Sequence, residues 1–186
     1  MSHAPETPPT VAASEAPPGP APRPPTDPDE TLAATSDERD RECEATIDAP
    51  VDRVRALVID YEHYATNLPK FGRSRVLKRT PREADVYLQI PVLHGAANLW
   101  AVARFTGPMV SNDNERVEGK YLDQGNVSAF HCLWTYARVD DKHTHLKFAV
   151  LMLPKFPLPH SVIEKELTDA CRDAVNAVKE HAEANR

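Results

Sequence analysis

The sequence predicts an α+β domain in which one long C-terminal helix crosses an antiparallel sheet of about six or seven strands. Three observations support this fold class. From residue 74 to residue 153, short segments alternate between apolar and polar residues, as strands with one buried face do. The intervals between these segments are too short to hold crossover helices, which favours antiparallel pairing. After a run of prolines, residues 161–183 change to the spacing of an amphipathic helix.

Residues 1–37 are predicted to form a disordered, proline-rich tail in front of one folded domain at residues 38–186. Ten of the 18 prolines lie within the first 28 residues, where Val11 is the only large aliphatic side chain. Such a segment cannot bury enough apolar surface to offset an ordering cost of about 1–2 kcal/mol per residue. The tail is a tether, a ligand for a proline-binding domain, or a solvated extension without a specific partner.

Charge and cysteine content narrow the expected compartment and partners. The net charge is −6, with no basic surplus and no evident Lys/Arg cluster, so nucleic acid is not an expected partner. Cys43, Cys132 and Cys171 show neither zinc-ligand nor disulfide-framework spacing, which favours a reducing, cytoplasmic location. The N-terminal segment lacks the apolar core of a secretory signal, and no later stretch approaches the roughly 20 apolar residues of a membrane span.

The folded region begins with a strand at residues 41–47, whose side chains alternate in character. Pro50 then marks the start of a helix within residues 48–60, because the first helical turn does not need the missing N–H of proline. Residues 61–69 predict a second short helix. It must end before Pro69, since the residue that precedes a proline avoids helical geometry.

Six further strands are expected after this second helix. The pattern is clearest where Val86, Leu88 and Ile90 alternate with more polar side chains. The strands are bounded by short segments that are rich in turn-forming residues. The predicted bounds are 74–80, 84–92, 98–107, 116–123, 127–139 and 144–153.

The sheet should end at Pro154, Pro157 and Pro159, because proline cannot donate to a strand ladder. Ser161 and Glu164 have the spacing of a capping box, which predicts the start of the last helix. A helix that runs to about residue 183 would span roughly 34 Å at 1.5 Å per residue. Its expected buried face carries Ile163, Leu167, Ala170, Cys171, Ala174, Val178 and, at the margin, His181. Its expected outer face carries Glu166, Asp169, Arg172, Asp173, Asn176 and Glu180.

Small residues occupy the middle of the expected buried face, where Ala170, Cys171 and Ala174 lie between Leu167 and Val178. Two accounts of this pattern compete. Small side chains let a helix pack closely on a sheet and fill the space as cores normally do. The same side chains also leave room for a ligand between the helix and the sheet.

Three segments together resemble the START-like helix-grip superfamily (SRPBCC), also called the polyketide cyclase/dehydrase and lipid-transport family. They are ATIDAPVDRVRALVIDYEHYATNLP, VSAFHCLWTYARVDDKHTHLKFAV and PLPHSVIEKELTDACRDAVNAVKEH. The resemblance covers about residues 39–184, and DYEHYATNLP is most similar to the coenzyme-Q-binding bacterial branch. It implies a curved sheet that grips the C-terminal helix around a mainly apolar cavity. Family members bind sterols, phospholipids, quinones or polyketides, and a minority are cyclases or aromatases.

The expected wall of such a cavity combines apolar strand positions, two aromatic strand residues and the small face of the helix. Arg104 leaves two alternatives open. If it faces inward, it needs a carboxylate or an anionic ligand group, and if it faces outward it is an ordinary solvated residue. The predicted pocket residues are Tyr64, Leu68, Leu88, Ile90, Trp100, Val102, Arg104, Trp134, Tyr136, Phe148, Val150, Met152, Leu167, Cys171 and Ala174.

No pattern with established catalytic chemistry is evident, and no cofactor or metal is expected. P-loop, zinc-protease and nucleophile-elbow motifs do not occur. His143 and His145 could hold a metal only with a third ligand, and they are otherwise surface histidines. His131 and Cys132 are adjacent in a strand, so they face opposite sides and cannot act as a base and its nucleophile.

Three functions follow as hypotheses. The leading one is binding or transport of a hydrophobic small molecule, such as a lipid, quinone or polyketide-like compound, with transient membrane contact as a further expectation. The second is an enzyme of the cyclase, aromatase or dehydratase type, in which Arg104, Tyr136 or His131 would polarise a carbonyl or move a proton. The third is a protein-interaction module that uses the proline-rich tail.

Overall fold

The structure is a computed structural model that describes residues 40–184. The predicted tail at residues 1–37 lies outside these residues. Seven strands, three α-helices and two short 3₁₀ turns, at Tyr61–His63 and Leu93–Gly95, form the described part of the chain. In chain order the elements are β1 (Arg41–Ile47), α1 (Val51–Val58), α2 (Tyr64–Asn67), β2 (Arg73–Arg79), β3 (Glu83–Val92), β4 (Ala97–Ser111), β5 (Asn114–Gly125), β6 (Val127–Arg138), β7 (Thr144–Pro154) and α3 (His160–Ala184).

The seven strands form one antiparallel sheet in the order β1-β7-β6-β5-β4-β3-β2, which confirms the predicted fold class. Strands β2 to β7 are joined by short connections, as their close spacing in the sequence predicted. Strand β1 instead pairs with β7, so β1 and β2 form opposite edges of the sheet. The chain that links them contains α1 and α2, and α1 packs against β6 and α3.

One face of the sheet carries the core. Its largest fully buried side chains include Trp134, Tyr136, Phe105, Leu88 and Leu146, at alternating positions of β3, β4, β6 and β7. Each large side chain that is fully buried contributes about 1.5–3 kcal/mol to folding. Helix α3 covers this inner face along β1 and β7. The two-residue period of the strands therefore produces one apolar face for the helices and one mixed, outer face.

The predicted starts of the first and last helices lie within one residue of the observed ones, but the expected capping box is wrong. Helix α1 begins after Pro50, whose carbonyl accepts the backbone N–H of Arg53 at 3.0 Å. Helix α3 begins at His160. The Glu164 carboxylate pairs with Arg41 of β1, and no hydrogen bond of the Ser161 hydroxyl is present within residues 40–184. Tertiary pairing with β1 has replaced the local cap.

A disulfide joins Cys43 of β1 to Cys171 of α3, with their Cα atoms 5.8 Å apart. The spacing of the cysteines gave no sign of this disulfide, because spacing along the chain does not show which residues a helix brings together across 128 positions. Cys132 is the free and buried cysteine. The pairing removes the cysteine argument for a reducing compartment, so the cytoplasmic location stays a prediction.

Strand β2 forms a basic edge of the sheet. Arg73, Arg75, Lys78 and Arg79 all lie on it and are exposed, and Arg82 follows in the turn to β3. The expectation that the chain has no Lys/Arg cluster is therefore wrong at this edge. Charged side chains on an edge strand oppose pairing with the edge of another sheet.

Candidate ligand-binding interior

Two adjoining cavities lie between the inner face of the sheet and the N-terminal half of α3. Their volumes are about 40 Å³ and about 20 Å³. The first cavity is lined by Lys70, Ile90, Val92, Leu99, Val150, Met152, Pro154, Leu158, Ile163, Glu166, Leu167 and Ala170. The second is lined by Tyr64, Lys70, Phe71, Leu88, Ile90, Phe105, Phe130, Cys132, Trp134, Phe148, Val150 and Ala170. Because four lining residues are shared, the two cavities form one apolar interior.

Aromatic side chains form the deep end of this interior. Trp134 stacks on Phe148, with ring centroids 3.9 Å apart and an angle of 22° between the planes. Tyr64 is almost fully buried and donates its hydroxyl to the carbonyl of Val58. Burial raises the pKa of this hydroxyl well above its usual value, so Tyr64 stays neutral. The aromatic side chains therefore offer ring faces and no ionised group, and Lys70 is the charged residue among those that line the second cavity.

Glu166 closes the other end of the interior. One carboxylate oxygen lies 3.4 Å from the Nζ of Lys70, and the other accepts the backbone N–H of Leu93 at 3.3 Å. We refer to these two contacts as the Glu166 bridge. It joins α3 to the segment after α2 and to the turn after β3. Glu166 was expected on the outer face of the helix, and that expectation was wrong because the two loops extend past the sheet to meet it.

The turn that receives Glu166 has a left-handed backbone. The φ angles of Leu93 and His94 are 54° and 57°, and that of Gly95 is 88°. This conformation costs a residue with a side chain about 1–2 kcal/mol. The turn is therefore locally strained at the point where it contacts the helix.

The interior is closed in this conformation. Cavities of about 40 and 20 Å³ are large enough for a water molecule, whereas small-molecule sites have volumes of roughly 300–1,000 Å³. A ring or an acyl chain could enter only if the N-terminal half of α3 moved away from the sheet. The sequence pattern of small helix residues is thus explained here mainly by close packing.

Eight of the fifteen predicted pocket residues line these cavities, and seven do not. Leu68, Tyr136, Cys171 and Ala174 are buried elsewhere in the core. Lining the cavities are Tyr64, Leu88, Ile90, Trp134, Phe148, Val150, Met152 and Leu167.

Trp100, Val102 and Arg104 lie on the outer face of β4, so their assignment to the pocket is corrected. The inner positions of β4 are the alternate ones, of which Leu99 and Phe105 line the cavities. The sequence prediction followed Trp100 and thereby selected the wrong parity. The run Leu99, Ala101, Ala103, Phe105 was the available signal, because it is uniformly apolar whereas the other parity contains Asn98 and Arg104.

The outer face gives these residues ordinary partners. Arg104 forms two hydrogen bonds to Asp85, at 2.7 and 2.9 Å, and they hold the pKa of the Asp85 carboxyl below its usual value. Trp100 stacks on Tyr87, with ring centroids 5.8 Å apart. Arg104 is therefore neutralised at the surface by a neighbouring strand.

The three residues proposed for catalysis do not meet. Arg104 and His131 lie on the outer face, and Tyr136 lies on the inner face. His131 contacts Asp40 at 2.7 Å and Glu118 at 3.2 Å. Its neighbour Cys132 is buried on the inner face, which confirms that these two side chains point to opposite sides.

Residues 40–184 contain no group of three or more His, Cys, Asp or Glu side chains that could hold a metal ion. His143 lies 2.7 Å from Asp140, and His145 lies 3.5 Å from Glu44. The two histidines are thus paired with surface carboxylates.

No helix within residues 40–184 has the length and apolar character needed to cross a membrane.

A sequence comparison identifies the family. The model described as "Polyketide cyclase / dehydrase and lipid transport" matches residues 47–179, which include α1, α2, strands β2 to β7 and most of α3. The chain belongs to this family. No curated protein matches the sequence.

Solved structures share the helix-grip fold of the polyketide cyclase/dehydrase and lipid transport family. A START superfamily protein from Mycobacterium smegmatis is 15% identical with a TM-score of 0.66, over 80% of this chain and 99% of that one. A STAR-related lipid transfer protein from Xanthomonas axonopodis is 19% identical with a TM-score of 0.66, over 79% and 87%. The Zhui aromatase/cyclase from Streptomyces is 18% identical with a TM-score of 0.60, over 79% and 94%.

Identities this low show a common fold and nothing finer. Within the polyketide cyclase/dehydrase and lipid transport family, assignment to the coenzyme-Q-binding branch remains a prediction. The predicted order of strand, two short helices, six strands and a long helix is confirmed.

Proposed function

We propose that this domain binds a neutral hydrophobic small molecule between the inner face of its sheet and the N-terminal half of α3. The observation that supports the proposal most directly is the apolar interior. It joins two small cavities, its deep end is aromatic, and Lys70 and Glu166 are the charged residues among those that line it. Known ligand pockets have this composition, mostly apolar with a few polar groups that orient the ligand.

Loading requires the closed interior to open, and the polar contacts that hold it closed are weak. A partly exposed ion pair such as Lys70–Glu166 contributes about 0–1 kcal/mol. The hydrogen bond to the Leu93 N–H adds about 0.5–1.5 kcal/mol. The Arg41–Glu164 pair ties the same half of α3 and is also partly exposed. A ligand that buries its own apolar surface can offset these losses, at about 25 cal/mol per Å².

The related structures agree with this function without establishing it. One is named as a lipid transfer protein and another as an aromatase/cyclase. Enzyme activity of the second kind would need convergent polar groups, but Tyr136 lies on the opposite face of the sheet from Arg104 and His131. Binding without catalysis is therefore the function that the geometry supports better.

Filling the interior should abolish binding. Ala170 lines both cavities and is only partly buried, so Ala170→Trp would occupy the space that a ligand needs. Asn176→Trp places the same side chain on an exposed position of α3 and serves as the control. Both variants are made in the Trp100→Phe protein, which is the parent in these experiments. The Asn176→Trp control contains an added, exposed tryptophan, so its own fluorescence without menadione is the reference for its quenching. We expect dodecanol and menadione to bind the parent and the control, but not Ala170→Trp.

Menadione also reports where it binds, because a quinone quenches a nearby indole. The chain has two tryptophans, and Trp134 lines the interior whereas Trp100 does not. The Trp100→Phe protein should thus lose fluorescence on addition of menadione, and native mass spectrometry should show a one-to-one complex. If neither probe binds the parent, or if Ala170→Trp binds both equally well, the proposed function is wrong.

A further inference from the structure

A separate and much larger cavity, about 450 Å³ in volume, opens at the opposite end of the inner sheet face. It lies beside the first residues of β3 and beyond Phe105 of β4, whereas the interior cavities lie toward the other ends of these strands. Its walls are the end of α1 with the following 3₁₀ turn, the β2–β3 turn, and β4 around Gly107. We refer to it as the β2–β3 cleft. Its volume is within the range of small-molecule sites.

The floor of the β2–β3 cleft is aromatic. The rings of Tyr61 and Phe105 have centroids 4.6 Å apart and are tilted by 34°. The guanidinium carbon of Arg79 lies 5.7 Å from the centre of the Tyr61 ring, a cation–π distance. Phe105 also lines the interior, so this ring pair separates the cleft from the cavities under α3.

The cleft has two cations whose charges are not neutralised by carboxylates. Within residues 40–184, neither Arg79 nor Arg82 forms an ion pair with Asp or Glu. The two acidic residues of the cleft already have other partners. Asp60 lies 2.7 Å from Nδ1 of His63, and Glu83 lies 3.8 Å from the guanidinium of Arg104.

We infer that the β2–β3 cleft is a binding site for a small anion with a planar apolar body, such as an aromatic carboxylate or an aryl phosphate. A guanidinium group presents paired N–H donors that match the oxygens of a carboxylate or a phosphate. Ile59, Pro81 and Pro108 line the cleft above the nearly buried Tyr61 and Phe105 rings, and they offer an apolar surface against which a planar group can pack. Both features occur in one cleft of suitable volume. The site is separate from the interior, so the inference does not rest on the proposed function.

Four compounds distinguish the contribution of the charge from that of the ring. Titrations followed by calorimetry would use the Ala170→Trp protein, whose interior is filled, so that a neutral compound bound there does not contribute. The ligands are 2-naphthoate, 2-naphthyl phosphate and the uncharged 2-naphthalenemethanol, and inorganic phosphate would test the anion alone. We expect both aryl anions to bind about fivefold or more tightly than the neutral alcohol, since each exposed charge contact contributes up to about 1 kcal/mol. Inorganic phosphate should bind more weakly than either, because it lacks the ring.

Matched arginine variants locate the site. Arg79→Gln and Arg82→Gln should each weaken 2-naphthoate binding about fivefold. Arg75→Gln removes the same charge from the same exposed strand outside the cleft and should leave binding unchanged. An equal loss in Arg75→Gln would show a non-specific charge effect and overturn the inference. So would equal binding of the neutral alcohol, or no binding of either aryl anion.

The Ala170→Trp protein distinguishes the cleft from the interior. It should bind 2-naphthoate as the parent does, because Ala170 does not line the cleft. If Ala170→Trp lost 2-naphthoate binding, the anion would be occupying the interior and the cleft assignment would be wrong. If dodecanol failed to bind while 2-naphthoate bound as expected, only the proposed function would fail.

Discussion

Tyr136 illustrates how burial of a single residue can oppose a catalytic role. Its side chain is fully buried, and its hydroxyl has no hydrogen-bond partner within residues 40–184. Burial raises the pKa of this hydroxyl, so it stays protonated at neutral pH, and Tyr136 does not line the cavities. A buried hydroxyl without a partner loses its hydration without compensation.

Removal of this hydroxyl should therefore not destabilise the protein. We expect Tyr136→Phe to leave the free energy of unfolding unchanged or to raise it by up to about 1 kcal/mol. Tyr64→Phe is the matched control, because the Tyr64 hydroxyl donates to Val58 and its loss should lower stability by about 0.5–1.5 kcal/mol. Urea unfolding of the three proteins measures both effects. A larger loss in Tyr136→Phe than in Tyr64→Phe would show that Tyr136 has a partner after all.

Helix α3 combines two kinds of attachment at the scale of the element. Its middle is joined covalently to β1 through Cys171, and Lys179 and Glu183 bond the backbone of Thr46 and Asp48 near its C-terminal end. Its N-terminal half is held by the Glu166 bridge and by Glu164. The first half is thus secured by side chains that water can reach.

Loss of the Glu166 bridge should loosen only this N-terminal half. Glu166→Gln weakens both contacts, so we expect faster amide hydrogen exchange in residues 160–170 and faster loading of menadione. Glu180→Gln makes the same change at an exposed position of α3 and should alter neither rate. Exchange monitored by mass spectrometry would resolve the two halves. Equal exchange in both variants would mean that the Glu166 bridge does not control opening.

At the scale of the whole molecule, the sequence predicted elements better than contacts. Proline positions and strand alternation determine local structure, so helix starts and strand bounds were predicted to within a few residues. The sequence did not predict which side chains of β4 face inward. Both alternating sets of β4 positions contain large apolar residues, and only pairing with the neighbouring strands decides between them. The disulfide and the Glu166 bridge also depend on how distant segments meet. No local pattern encodes these contacts.

The disulfide should stabilise the fold as a whole. A cross-link between residues 128 positions apart restricts the unfolded chain strongly, and such links typically contribute about 2–4 kcal/mol. We expect the double variant Cys43→Ala/Cys171→Ala to lose about this much unfolding free energy in urea. The denatured, non-reduced parent should show one reactive thiol, from Cys132. Three reactive thiols would contradict the pairing.

The position of Cys171 within α3 has a mechanical consequence. The disulfide at Cys171 and the contacts of Lys179 and Glu183 hold the C-terminal part of α3 on the sheet, so an opening motion would bend the helix and move only the segment from His160 to Ala170, about 16 Å long at 1.5 Å per residue. A ligand would then enter and leave only at the N-terminal end of α3. Whichever end of the ligand enters first would come to rest against the stacked rings of Trp134 and Phe148.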